Sequence, residues 1–218
     1  MTRTIGKSFK DLFSSAVLFF AIKVALISLV ITAGLLWSTQ STMHTFISSY
    51  LSWLPWEWLR TTGASIASVA LSYMVFVMTI SIVTSFMIEP LLIKLGEKHY
   101  PHIKAIGSPN LTTSTVLSLK STLIAFVLFM FTFPMMFVPL LGAVYMLWIW
   151  SILLKAPTIY DVSSLFIEDK NALKQKTKKT TILAMVAAGF NYIPILNIFA
   201  AVFAQILFLH HILGKENH

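Results

Sequence analysis

Few side chains in this chain are placed to do chemistry. Its 218 residues carry 16 basic and 8 acidic groups, and inside its apolar stretches the side chains other than hydroxyls that could meet a substrate narrow to one lysine and a few amides and histidines. Lys23 lies deep in the first apolar run, where an ammonium group costs several kcal/mol unless it pairs, faces water or snorkels along its stem to the headgroups. It is either a charge for a substrate or an interfacial anchor. Glu89, directly before Pro90, can pair with such a lysine or gate an anion's path by its charge. Its plainer role is to favour the N-terminus of the next helix, worth about 0.3–1 kcal/mol. Asn191 and Asn197 flank Pro194, and Gln205 follows in the same run. Asn197 can satisfy backbone groups that a proline frees, which in lipid must find partners. A broken helix also offers N–H groups to an anion. Lys23, Glu89, Asn191 and Asn197 are therefore the candidate substrate-binding residues, and Pro139 and Pro194 the candidate structural breaks.

Other chemistries find less support. His210, His211 and His218 suggest a metal, but neighbours on a helix point about 100° apart, and no carboxylate lies at a coordinating spacing. No metal site and no cofactor are expected. The sequence contains no cysteine, which removes disulfides, thiolate sites and thiol nucleophiles. Neither an HExxH pattern nor a phosphate-binding glycine loop occurs, and the glycines are scattered. Nothing points to an enzyme.

The elements that must position these residues are membrane helices. The sequence is 57% hydrophobic and 11% charged, with a mean hydropathy of +0.81, a composition that belongs in lipid. A net charge of +8 and a pI near 9.7 fit basic cytoplasmic loops better than a nucleic-acid partner, which is not expected. The basic start with Arg3, Lys7 and Lys10 precedes an apolar run with no small-residue cleavage site, and reads as a retained first helix. No linker or soluble domain interrupts the chain, so residues 1–218 are expected to form a single membrane domain.

Four apolar blocks stand out, Leu12–Trp37, Gly63–Ile88, Leu123–Leu154 and Thr181–Leu213. The first two have the roughly 20 or more residues that cross about 30 Å of hydrocarbon. The segment between them, Ser38 to Thr62, holds Trp53, Trp56 and Trp58 around Glu57 and Arg60 and has the makeup of an external interfacial loop. The last two blocks are broken near their middles, by Pro134 with Pro139 and by Pro194. They are too long for one pass and too short for two, whereas half-helices of about 14 residues reach some 20 Å. Phe137-Val138-Pro139-Leu140-Leu141-Gly142 and Tyr192-Ile193-Pro194-Ile195-Leu196-Asn197 also match in pattern, a weak internal repeat. Charge agrees, because hairpins that dip and return leave Lys94 to Lys120 and Lys155 to Lys179 on the cytoplasmic side with both termini. The expected fold is thus an all-α integral membrane protein with two transmembrane helices and two Pro-broken, half-penetrating re-entrant hairpins. Four complete spans are the alternative.

Local signals add detail. Pro90 suits the first turn of a helix that ends at Pro101, and Thr112 or Thr113 can cap the helix leading into the third block. Ala64, Ser68 and Ser72, like Ala21 and Ala25, repeat at helical spacing and allow close approach within the chain or between copies.

This arrangement resembles the CysZ-type sulfate transporter family within the etoposide-induced-protein superfamily. The resemblance rests on Ile193-Pro194-Ile195-Leu196-Asn197-Ile198-Phe199, on the proline-containing break at Val138 to Gly142, on the Tyr160-Asp161 pair and on Pro90 at the foot of the second span. It implies two long helices, two half-penetrating hairpins, a homo-oligomer in an inner membrane, and sulfate uptake feeding cysteine biosynthesis. The family's early glycine-leucine/isoleucine-arginine motif is missing, since the corresponding stretch reads Ser15-Ala16-Val17-Leu18. The resemblance therefore leaves two functions, movement of a small inorganic anion with sulfate first, or a non-transporting structural or interaction role in the membrane.

Overall fold

The computed structural model describes residues 2–50, 52, 55–132, 135, 138, 140–167, 180–193 and 196–214. Among these the regular structure is helical throughout, as an all-α membrane protein requires. The helices are α1 (Thr2–Leu12), α2 (Ser15–Tyr50), α3 (Glu57–Met87), α4 (Glu89–His99), α5 (Leu111–Thr132), α6 (Leu141–Phe166), α7 (Thr180–Gly189) and α8 (Ala200–Leu213), with 3₁₀ turns at Phe190–Tyr192 and Leu196–Phe199. Among the described residues, four stretches are long and apolar enough to cross a membrane, namely Ser15–Thr39, Leu111–Phe129, Leu141–Phe166 and Leu196–Leu213, with a fifth if the bent pair Val75–Met87 and Glu89–His99 is one span. The chain divides into two compact units, one of Ala21–Phe86 and one of Met1–Phe20 with Met87–His218.

In the unit of Ala21–Phe86, α2 and α3 cover the first two expected spans, but they also take in most of the expected Ser38–Thr62 loop, α2 running on to Tyr50 and α3 starting at Glu57. Ile22, Leu26, Leu29 and Val30 stand exposed on α2, the surface that lipid would wet. On α3 the small-residue face closes on itself, with Ser68 Oγ donating to the Ala64 carbonyl and Ser72 Oγ to the Ser68 carbonyl, both at 2.7 Å.

The other unit is built around α8. Phe203, Ile206, Leu207, Phe208, Leu209, Ile212 and Leu213 are all fully buried, packed among α1, α4, α6 and α7. A helix enclosed on every side has no polar face to show, which is why its apolar residues follow no stripe. Leu12 of α1, Leu92 and Leu95 of α4, Val162 and Leu165 of α6 and Leu183 and Ala184 of α7 complete this core. Contact with α6 is tight at Gly96, where a Cβ would meet Phe166 Cζ at 2.8 Å.

Three local expectations are corrected. The retained first helix is two helices, because Ser14 interrupts it: its Oγ accepts from Val17 N at 3.4 Å and opens α2, while its N–H donates to the Asp11 carbonyl at 2.9 Å and closes α1. The cap of α5 is Asn110 rather than Thr112 or Thr113, whose N–H groups donate to Asn110 Oδ1 at 2.9 and 3.3 Å. An asparagine at the N-cap accepts both orphan donors with its side chain still outside the helix. Finally, the helix of the third block does not stop at the expected end, Leu154, but runs on through Pro157 to Phe166, held by packing on α7 and α8.

Both proline-broken blocks fold back on themselves. Helices α5 and α6 pack along each other around Ala125, Tyr145 and Ile149, and Thr132 and Tyr145 share a hydrogen bond beside the link. Helices α7 and α8, of 10 and 14 residues, extend roughly 15 and 21 Å. The internal repeat extends to the backbone. Gly142 N donates to Val138 O at 2.8 Å and Val138 N to Met135 O at 3.3 Å, while at the matching positions Asn197 N donates to Ile193 O at 3.1 Å and Ile193 N to Phe190 O at 3.3 Å.

Candidate functional site

The sequence-predicted residues fall in different places. Lys23 lies in the unit of Ala21–Phe86, exposed on α2. Glu89 opens α4 with Pro90 in the first turn, half-buried, as the charge-on-helix-start role requires. Asn191 and Asn197 are half-buried in the two 3₁₀ turns that pack together across the second break. Pro139 and Pro194 lie outside the described residues, as does His218. The two breaks are neighbours, since Tyr192 OH donates to the carbonyl of Ala143 in the first turn of α6 at 3.1 Å. Just past the middle of the same helix Lys155 Nζ donates to Thr181 Oγ1 at 2.9 Å, fastening α6 to the start of α7.

Two buried polar clusters escape the sequence reading. The larger begins with α1, whose Ser8, Asp11 and Leu12 face inward at helical spacing onto α8. Asp11 is 3% exposed. Its Oδ2 lies 2.6 Å from His210 Nε2, and His99 Nε2 sits between its two oxygens at 3.0 and 2.8 Å. Lys98 Nζ approaches Oδ1 at 3.7 Å from a largely exposed side chain. Behind His210, Tyr100 OH lies 3.1 Å from Nδ1 and 3.5 Å from the His210 carbonyl, and Lys7 Nζ stands 5.4 Å above the Tyr100 ring. We assign His210 as the neutral tautomer that donates from Nε2 to Asp11 and accepts at Nδ1 from Tyr100, since this gives both ring nitrogens of His210 and the Tyr100 hydroxyl a partner.

Electrostatics follow from the contacts. Burial pushes the Asp11 carboxyl up, but hydrogen bonds from His99 and His210, with their charge, outweigh it and hold the group below the usual carboxylate range. Tyr100 is pushed up, first by burial and then by the charge of Asp11, with Arg3 opposing. The cluster can clasp α1 to α4 and α8, pass a proton along its chain, or offer nitrogen and oxygen ligands to a cation.

The second cluster centres on Asp161 of α6, 8% exposed. Ser114 Oγ of α5 donates to its Oδ1 at 2.8 Å and Gln205 Nε2 of α8 to its Oδ2 at 3.2 Å. Among the described residues it has no ion-pair partner, and Gln205 Oε1 is buried without a hydrogen bond. A carboxylate held only by neutral donors is costly to bury. Replacement by Asn keeps the geometry and, with the amides turned, lets its NH₂ donate to Gln205 Oε1. Asp161→Asn should therefore leave stability unchanged or raise it, whereas Asp161→Ala, which strands both donors, should cost about 1–3 kcal/mol. Thermal melting of both variants in detergent decides; an Asn variant as damaged as the Ala variant would mean that the charge itself holds the three helices.

Sequence spacing misses both clusters because their members are far apart, Asp11 and His210 by 199 positions. The available signal is rarity, an acidic residue or histidine on an otherwise apolar helix face.

Fold and buried clusters together define a multi-pass helical membrane protein. The chain belongs to the sulfate transporter CysZ/etoposide-induced protein 2.4 family, whose model matches residues 4–201. No curated protein and no solved structure is significantly similar to it.

Proposed function

We propose that this protein moves a small inorganic anion, with sulfate first, across an inner membrane, and that it contains no catalytic site. The observation that carries the reading is membership of a family of sulfate transporters over residues 4–201. The paired breaks joined by Tyr192 and Ala143 support it. Asn191 and Asn197, beside the break that Pro194 marks in the sequence as Pro139 marks the other, are proposed to meet the anion, Glu89 to set the charge of its path, and Lys23, in its own unit, to supply a positive charge. Main-chain donors and a lysine hold a divalent oxyanion less tightly than a bidentate guanidinium. Binding should thus be weak and salt-sensitive. The 218 residues act as one membrane domain in a homo-oligomer, and the sulfate delivered would feed cysteine biosynthesis.

Purified protein in liposomes should take up sulfate above empty vesicles, with related oxyanions competing and Lys23→Ala reducing the rate. If sulfate crosses and Lys23→Ala changes nothing, the site is misassigned. If sulfate, phosphate and chloride all fail to cross, the second reading takes over, a structural or interaction role in the membrane. One observation favours that reading, the lack of an arginine in Ser15-Ala16-Val17-Leu18.

Both broken blocks are proposed to be re-entrant. The arms support this: α7 with its 3₁₀ turn runs Thr180–Tyr192, roughly 20 Å and short of the ~30 Å hydrocarbon core. Although α5 and α6 are long enough to cross, Lys120 and Lys155 confine their uncharged parts to 121–132 and 141–154, roughly 18 and 21 Å. Both termini and the basic segments would then be cytoplasmic. Cysteines placed singly at Ser38, Ser108, Val138, Ala172 and Asn217 test it cleanly, because the chain has none of its own. Only the cysteine at 38 should react from outside. External labelling at 138 would make α5 and α6 complete spans, and external labelling at 172 would overturn the second hairpin.

A further inference from the structure

We infer that Asp11, His99 and His210 form a binding site for a divalent transition-metal ion of the zinc class, joining α1, α4 and α8. One ligand atom from each residue lies within 4.8 Å of the others. Two imidazoles and one carboxylate are a donor set that suits zinc, iron, cobalt or nickel and discriminates against magnesium and calcium, which prefer all-oxygen shells. The residues come from three separate helices, so the set is made by the fold rather than by local sequence.

The surroundings suit a metal ligand as well. Both histidines present Nε2 to the shared carboxylate. His210 has an outer partner already in place, with Tyr100 OH 3.1 Å from Nδ1 and 3.5 Å from the His210 carbonyl. With a metal on Nε2, the ring proton moves to Nδ1 and is donated to the Tyr100 oxygen. The phenol hydrogen then turns to the carbonyl, and no buried group loses its partner. Outer hydrogen bonds of this kind fix the tautomer and orientation of metal-bound histidines. The present separations of 2.6 to 3.0 Å are hydrogen bonds. Ligands about 2.0–2.2 Å from a tetrahedral ion stand roughly 3.3 Å apart, so the side chains need to open by only a few tenths of an ångström.

The obstacle is positive charge. Lys98 is ion-paired to Asp11 at 3.7 Å, but its side chain is 59% exposed and can turn into solvent as the metal enters. Lys7 is occupied over the Tyr100 ring. Lys98 is thus a built-in competitor, which separates a metal site from a simple charge clasp: removing it should tighten metal binding in the first case and only weaken packing in the second.

The test uses the full chain in detergent, stripped with EDTA and titrated with Co(II), whose visible absorption reports coordination, and then with Zn(II) as competitor. One equivalent of Co(II) should bind and be displaced by Zn(II). His99→Ala should abolish that site, with His99→Gln as the milder variant should alanine impair folding. Tyr100→Phe should weaken binding about 10–100-fold, and Lys98→Ala should tighten it. Lack of binding by the stripped wild-type chain, binding that survives both His99 variants, or binding lost on His218→Ala instead would each overturn the assignment.

Discussion

Asp11→Ala is expected to lower stability by about 3 kcal/mol, the upper end of the cost of stranding a buried donor, because two imidazoles lose their shared acceptor at once. The variant leaves the buried His210 Nε2–H without an acceptor, together with His99, and takes away the anchor of α1 on α8. Asp11→Asn, which keeps one acceptor oxygen but no charge, should lose less. The sign of the pH dependence follows from the carboxyl being held below its ordinary value of 3.8. The contribution is complete above that value and is lost as pH falls through the lower folded one. Lys7, Lys98, His99 and His210 face the group, with Arg3 nearby. Denaturant or thermal unfolding in detergent measures the effect. A loss below about 1 kcal/mol would rank Asp11 with exposed ion pairs and remove its role as the clasp of α1.

What the sequence could convey divides along physical lines. Apolar runs and their interruptions are local, so the four blocks and the folding-back of the last two were legible, as was the helix start at Pro90. The matching runs around Val138 and Ile193 even foretold matching backbone bonds. Features that depend on a distant partner were not. Nothing near Asp11 marks it as the ligand of His210, and the amphipathic face of Ser8, Asp11 and Leu12 makes sense only against α8. Local spacing around His210 and His211 contains no carboxylate, whereas the fold delivers one from the other end of the chain. Asn110 and the threonines after it are equally good caps by type; the choice is made where the chain turns into α5 against Tyr160, whose OH accepts from Asn110 N at 3.2 Å. Asp161 carries the same signal as Lys23 and Glu89, a rare charge beside apolar sequence, but its partners Ser114 and Gln205 lie 47 and 44 positions away and are joined to it only by the fold.

Phe203→Ala is the second substitution expected to have a large effect, because Phe203 is where the enclosure of α8 is closest. Its ring is fully buried, stacked on Phe190 at 4.3 Å between centroids and met edge-on by Phe9 at 5.1 Å. It therefore joins α1, α8 and the turn after α7 in a single contact. Truncating a buried phenylalanine costs about 3–5 kcal/mol, through lost transfer energy and the cavity left behind. Where surroundings are lipid rather than water the transfer part shrinks, because acyl chains are as apolar as the side chain, and packing and cavity terms remain. The loss should thus fall near 3 kcal/mol, with Phe203→Leu losing less. A double-mutant cycle with Phe190→Ala should show coupling of about 0.5–1.5 kcal/mol, the range for paired aromatic rings. Additive effects would mean that the rings fill space independently and that the break at Phe190 is held by its backbone turns instead.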